Sequence, residues 1–164
     1  MSQTTPTLHL ICGKPAAGKS TLTARLGQQP RTVVIAEDDW LAMLYGDQMS
    51  TLSDYVRCAG RLRGIVKPHA IALLRAGVTV VLDFPANTLE TRRWMRGIVE
   101  AAGTAHCLHL LDVPDDICKA RLQARNARGD HPFAVTEAQF DRIAKHFVTP
   151  TADEGFNIVR HQPE

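Results

Sequence analysis

The feature that most limits what this chain can fold into is the segment Gly13-Lys14-Pro15-Ala16-Ala17-Gly18-Lys19-Ser20. It fills every fixed position of the pattern G-x-x-x-x-G-K-[ST]. An apolar run at 8–12 precedes it, and residues 19–28 follow with Leu22 and Leu26 at helical spacing. A strand, a glycine-rich turn and a helix in that order build a cradle for phosphate. The glycines let the backbone wrap closely around phosphate oxygens. The helix start then presents unpaired N–H groups and a positive dipole end. In such a cradle Lys19 reaches the β- and γ-phosphates of a bound nucleotide, and the Ser20 hydroxyl ligands Mg²⁺.

The rest of the chain repeats the alternation. Apolar runs at 32–36, 78–82 and 105–111, with a fifth candidate at 156–160, read as strands. Residues 39–76, 89–102, 114–128 and 136–147 read as helical, with breaks expected near 46–50 and at Lys67-Pro68. Pro114 suits the first position of its helix, and Thr136 suits an N-cap. Gln29-Pro30 and Gly103 close the helices before them. Strands that are apolar throughout and alternate with helices imply a parallel sheet covered on both faces. The expected architecture is therefore one α/β domain spanning 1–164. Its 164 residues suffice for a core without disulfide or metal staples.

Charge and composition exclude several alternatives. A net charge of +2 gives no sign of a surface built to coat nucleic acid. No apolar run approaches the ~18 residues of a membrane span, and the start of the chain has no signal-peptide pattern. A cytoplasmic protein is expected. Cys12, Cys58, Cys107 and Cys118 form no C-x-x-C pair and read as free thiols. His106 and His109 flank Cys107, but three residues apart on a strand they point to opposite faces, so no metal site is read there.

Ligands of parallel sheets gather at the carboxyl ends of the strands. Asp38 and Asp83 each follow an apolar strand and should face that crevice. Asp83, after Val78-Thr79-Val80-Val81-Leu82, resembles the acidic strand end that helps to hold Mg²⁺. Asp38 is the candidate general base that aligns a hydroxyl and takes its proton. Its neighbours Glu37 and Asp39 share that chemistry, and Asp39 is also a candidate N-cap for a helix starting at Trp40. Arg121 and Arg125 fall on one helix face, with Arg128 a turn later. Cations so placed suit a lid over phosphates, at about 121–136, or a solvated helix end. Arg57, Arg61 and Arg63 read as an acceptor-site lining or a wet helix face. Trp40, Tyr45 and Trp94 read as core.

These residues resemble the P-loop kinases related to polynucleotide kinase, chloramphenicol phosphotransferase and zeta toxins, and especially the small bacterial ATP-binding proteins of that group. The likeness covers nearly the whole chain. It includes the phosphate loop with Thr21, Asp38-Asp39, Asp83, Asp112-Val113-Pro114 with Arg121 and Arg125, and Phe147, Pro150 and Glu154-Gly155-Phe156. The resemblance implies a P-loop three-layer sandwich with a five-stranded parallel sheet in the order 2-3-1-4-5. It also implies ATP and Mg²⁺ as cofactors, with nucleotide held by Gly13 to Thr21, Arg121 and Arg125. Lys19, Asp38, Arg121 and Arg125 become the expected catalytic set, and Ser20 and Asp83 the metal ligands. The chain departs from polynucleotide kinase at Ala16, at Phe84-Pro85-Ala86 before Asn87-Thr88, and at Leu41. The last two differences favour a small-molecule acceptor over a nucleic-acid 5′-hydroxyl.

No [NT]-K-x-D guanine signature and no LSGGQ-like stretch is present, and the chain is short for an AAA+ motor. The expected function is transfer of the ATP γ-phosphate to a hydroxyl of an unidentified small-molecule or nucleotide-like acceptor. The alternative is a regulatory ATP-binding module that hydrolyses slowly and signals by lid closure. A toxin-like role would use the same kinase chemistry.

Overall fold

The computed structural model describes residues 5–129 and 135–163. Strands β1 (Thr7–Cys12), β2 (Thr32–Ala36), β3 (Thr79–Pro85), β4 (Ala105–Leu111) and β5 (Ile158–His161) form one sheet. Its order is β2-β3-β1-β4-β5, and all four pairings are parallel. The helices are α1 (Lys19–Gly27), α2 (Glu37–Tyr45), α3 (Leu52–Arg75), α4 (Leu89–Ala102), α5 (Asp115–Arg128) and α6 (Glu137–His146). This is the P-loop sandwich expected from the sequence, with the expected strand order.

Alternation along the strands divides the core in two. Leu8, Leu10, Val80, Leu82, Leu108 and Leu110 face α3 and α4, where Leu62, Val66, Leu74, Met95 and Ile98 meet them. Ile11, Val81 and Leu111 face the other way, against Leu22 of α1, Cys118 and Leu122 of α5 and Phe140 of α6. The inner strands are therefore apolar on both faces, as a covered parallel sheet requires. Trp40, Tyr45 and Trp94 pack against the first cluster, as read from the sequence.

Two local expectations need correction. Pro68 does not break its helix, because α3 runs unbroken from Leu52 to Arg75. Pro68 and Gly64 both lie on its exposed side, where water can serve the carbonyl that the missing N–H would have bonded. Leu62, Val66, Ala70 and Leu74 on the buried side keep the helix docked. The second correction concerns α2, which begins at Glu37 directly from β2 with Ala36 as N-cap. Asp39 is thus in the first turn rather than at the cap. Three carboxylates in one first turn suit the positive end of the helix dipole.

Side-chain caps fix the starts of α3, α4 and α6. Thr51 and Thr136 make reciprocal capping boxes with Asp54 and Gln139, and the Thr88 hydroxyl accepts from the Thr91 N–H. The C-terminal segment is tied down by Arg92, which is 1% exposed. Its guanidinium donates to Glu154 at 2.6 Å and to the Ala86 carbonyl at 2.9 Å. No helix among the described residues is long and apolar enough to cross a membrane.

Candidate active site

The phosphate loop leaves β1 and enters α1 under tight control. The Asn87 amide clamps Gly13: its Oδ1 accepts from the Gly13 N–H and its Nδ2 donates to the Gly13 carbonyl, each at 3.0 Å. A Cβ at position 13 would stand 3.1 Å from Leu111 Cβ and 3.3 Å from Ala17 Cβ, so a side chain there would press on both neighbours. Gly18 caps α1 with φ 106°, a conformation costly for other residues. Ala16 also lies in the left-handed region, at φ 62°. For a residue with a Cβ this stores on the order of 1 kcal/mol.

Lys19 is folded back onto its own loop. Its Nζ donates to the Gly13 and Lys14 carbonyls at 2.7 and 2.8 Å. Burial pulls its pKa down to about 8, against the raising influence of Asp83 first and Asp38 less. Lys14 is engaged elsewhere, donating to Asp115 at 2.6 Å and lying 5.2 Å from the Phe147 ring centre.

A cleft of about 770 Å³ opens over the loop. Residues 15–22 form its floor, Asp38 and Asp83 one wall, and Arg121, Arg125 and Arg128 the opposite side. Most of the side chains that the sequence singled out therefore share one space. Arg121 Nη1 donates to the Ala16 carbonyl at 3.4 Å. Arg125 Nε is buried with no hydrogen-bond partner among the described residues. The expected lid at 121–136 is described only in part, since residues 130–134 lie outside the described residues.

The acidic wall separates three carboxylates that were equivalent in the sequence. Glu37 is 1% exposed. It accepts from the Tyr55 hydroxyl at 2.5 Å and from Arg63 at 3.3 Å, so it is committed to the protein. Asp38 is exposed and lines the cleft, whereas Asp39 is exposed and does not. Asp83 lies inside β3, opposite Ala36 of β2. Burial, and next the Asp38 carboxylate, push its pKa up. Glu37, Asp38 and Asp39 all bear on Asp83, and the Lys19 ammonium acts against them. Crowded carboxylates of this kind, beside the Ser20 hydroxyl at the cleft floor, fit a divalent cation by charge and by oxygen-donor type.

Several groups were not legible beforehand. Asn87 sits in a loop after β3 and carries no local signal of its contact with Gly13. Arg25 and His161 also line the cleft, and nothing in their neighbourhoods marked them. Arg63 is not part of a wet face, because it braces Glu37 and lies 5.7 Å from the Trp94 ring centre.

A parallel sheet in this order, a phosphate loop after its central strand and acids on the two neighbouring strand ends define a P-loop kinase-like domain. Residues 8–150 match the family described as an AAA domain, and the chain belongs to that family. Among solved structures, a proposed kinase from Chloroflexus aurantiacus is similar with a TM-score of 0.75 at 17% identity, over 98% of this chain and 87% of that one. The Mycobacterium tuberculosis APS kinase in complex with AMPPNP and APS gives 0.64 at 20% identity, over 97% and 89%. A chain of the Pnkp1/Rnl/Hen1 RNA repair complex gives 0.65 at 21% identity, over 88% of this chain and 45% of that one. At these identities the likeness is one of fold. No curated protein matches the sequence.

Proposed function

We propose that this protein is an ATP-dependent kinase that moves the γ-phosphate of ATP to a hydroxyl of a small molecule or nucleotide-like acceptor. The observation that carries this reading is the cleft itself. It sets a phosphate cradle, an uncommitted carboxylate and arginine donors around one volume. A drug-sized or nucleotide-sized ligand fills clefts of about this size. The similar fold of an APS kinase held with AMPPNP and APS supports the class of reaction.

In this reading the loop N–H groups and Lys19 hold the phosphates, and Lys19 trades its loop carbonyls for them. Asp38 orients the acceptor hydroxyl and takes its proton as that oxygen attacks the γ-phosphorus. The bond to the β–γ bridging oxygen breaks, and ADP leaves. Arg121 and Arg125 donate to the phosphoryl oxygens, the unpartnered Nε of Arg125 gaining its missing acceptor. Ser20 and Asp83 would hold Mg²⁺, which when bound supplies charge neutralisation of the phosphates. Most of the catalysis here is positioning and electrostatics, because phosphoryl transfer asks for little covalent chemistry from the protein.

The test incubates the protein with γ-labelled ATP, Mg²⁺ and a panel of nucleosides, 5′-hydroxyl oligonucleotides, sugars, hydroxylated antibiotics and cell metabolites. Label in an acceptor, lost in Lys19→Ala and Asp38→Asn, supports the kinase. ATP hydrolysis with no labelled acceptor, unchanged in Asp38→Asn, would replace it with a regulatory ATPase. Label confined to the oligonucleotides would move the acceptor from small molecules to nucleic acid.

A further inference from the structure

The face of the sheet that packs against α1 has a polar interruption across β1 and β4. Where the alternation calls for apolar side chains, β1 carries His9 and β4 carries Cys107 and His109. His9 stands directly opposite Cys107 in the β1–β4 register, and His109 lies two residues further along the same face. Their ligand atoms all lie within 4.8 Å of one another. The strand reading that separates His106 from His109 holds, and His106 turns to Asn157 instead. The partner that joins Cys107 and His109 comes from the neighbouring strand, where sequence spacing does not reach.

We propose that His9, Cys107 and His109 bind a thiophilic transition-metal ion, with Zn²⁺ as the fitting class. His9 Nδ1 and His109 Nε2 already face each other at 2.9 Å. In a tetrahedral zinc site two nitrogens stand about 3.3 Å apart, and nitrogen and sulfur about 3.6 Å, from bond lengths near 2.0 and 2.3 Å. The imidazoles must open slightly, and the sulfur must close by about an ångström at most. Two imidazoles and a thiolate with no carboxylate are a borderline-soft donor set, unlike the oxygen donors of the cleft.

The surroundings suit the ion. Burial lowers the pKa of both His9 and His109, and a neutral imidazole offers one nitrogen lone pair, so each ring can supply one donor once the hydrogen bond between them opens. His109 Nδ1 lies 2.9 Å from His161 Nε2. With metal on Nε2, the His109 Nδ1–H donates to His161, which fixes the tautomer as outer partners of zinc histidines do. Arg25 bears on both His109 and His161; burial raises the Cys107 thiol, and the thiolate formed when the ion binds would offset the repulsion from Arg25. A metal here would staple β1 to β4. Through His161 it would also touch the wall of the cleft.

The experiment is a Co²⁺ titration of the reduced, chelator-stripped protein without nucleotide, followed by Zn²⁺ displacement. The expected result is one equivalent of Co²⁺ with a thiolate charge-transfer band and intense tetrahedral d–d bands, both abolished by Zn²⁺. Cys107→Ser should remove the charge-transfer band, and His9→Gln the tetrahedral bands, while Cys58→Ala keeps both. Far-ultraviolet circular dichroism checks that each variant folds. Zn²⁺ at 100 times its Kd should raise the folded-to-unfolded ratio of the wild type about 100-fold, and that gain should be absent in Cys107→Ser. Co²⁺ spectra that are octahedral, lack the sulfur band or persist in folded Cys107→Ser would overturn the site. None of these readouts depends on kinase activity.

Discussion

The two walls of the cleft are built on different terms. The phosphate wall is made largely of backbone and is held from several directions at once. Asn87 grips Gly13 from the loop after β3, Leu111 crowds any side chain there, and Asp115 holds Lys14. The acidic wall is made of side chains, Asp38 on the first turn of α2 and Asp83 on β3, and of the three carboxylates on that turn Glu37 is the one held among the described residues. Phosphate is the same in every nucleotide, so its cradle can be rigid and recurrent. In the proposed kinase the acceptor would be the part that differs from enzyme to enzyme, and the side chain that would meet it, Asp38, is left exposed.

The sharpest way to break this contrast is to change the acidic wall alone. In Asp38→Asn, transfer to the acceptor should fall by about 10²–10⁴-fold, the usual range for losing a general base. Binding of ATP, measured by calorimetry, should hold within a few-fold. Asp39→Asn, one residue on but outside the cleft, should change transfer by less than about threefold, as a surface change does. Equal losses in the two variants would mean that the first turn acts as a diffuse charge, and that the geometric separation of Asp38 from Asp39 has no functional weight.

The same contrast explains what the sequence made legible. Gly13, Gly18, Lys19 and Ser20 stand at fixed spacing because backbone geometry dictates it, and so does the strand–loop–helix order. The strands were readable because inner strands of a covered parallel sheet are continuously apolar. Glu37, Asp38 and Asp39 were recognisable only as a group. Their division depends on Tyr55 and Arg63 arriving from α3. Asn87 reaches a partner 74 positions away, and Arg92 one 62 positions away. His9 meets Cys107 only through strand pairing. Contacts made across such separations leave no periodic trace in a single sequence.

A second prediction weakens the phosphate wall instead. Asn87→Ala removes the partner of the Gly13 N–H and one of the two partners of its carbonyl, which Lys19 still serves, so a buried N–H is left unpaired at a cost of about 2 kcal/mol. The melting temperature should fall by roughly 5 °C for a chain of this size. If the clamp also shapes the cradle, affinity for ATP should drop with it. A stable Asn87→Ala protein with unchanged ATP affinity would show that the loop needs no outside support.

The charge state of Lys19 distinguishes the walls by pH. Its ordinary value of 10.5 is lowered to about 8 in the folded protein. Below about pH 8 the lysine is charged in both the folded and unfolded states, and the whole cost of burying that charge is present. Between about 8 and 10.5 the unfolded chain holds a proton that the folded one has released, so stability rises with pH across that window. The rise should appear in wild type minus Lys19→Met, a difference that cancels the other titrating groups. Bound ATP would favour the charged lysine again. Nucleotide binding at about pH 8.5–9 should therefore take up a proton, seen as a dependence of the binding heat on buffer ionisation enthalpy. No uptake would mean that Lys19 stays on its loop carbonyls when nucleotide binds.

The smallest effect comes from within the loop. Ala16 holds φ 62°, which an L-residue with a Cβ adopts at a cost of about 1 kcal/mol. Glycine at that position would remove the strain but add freedom to the unfolded chain, worth about 0.4–1 kcal/mol in the opposite sense. The two terms nearly cancel, so Ala16→Gly should move stability by less than about 1 kcal/mol, or a few degrees in melting temperature. Its effect on binding should be clearer. The Ala16 carbonyl accepts from Arg121, so the alanine fixes the point where the loop meets an arginine of the opposite wall. A looser loop should bind ATP several-fold more weakly at nearly unchanged stability. Tighter binding in Ala16→Gly would show the reverse, that the strain at Ala16 opposes the nucleotide-bound shape of the loop.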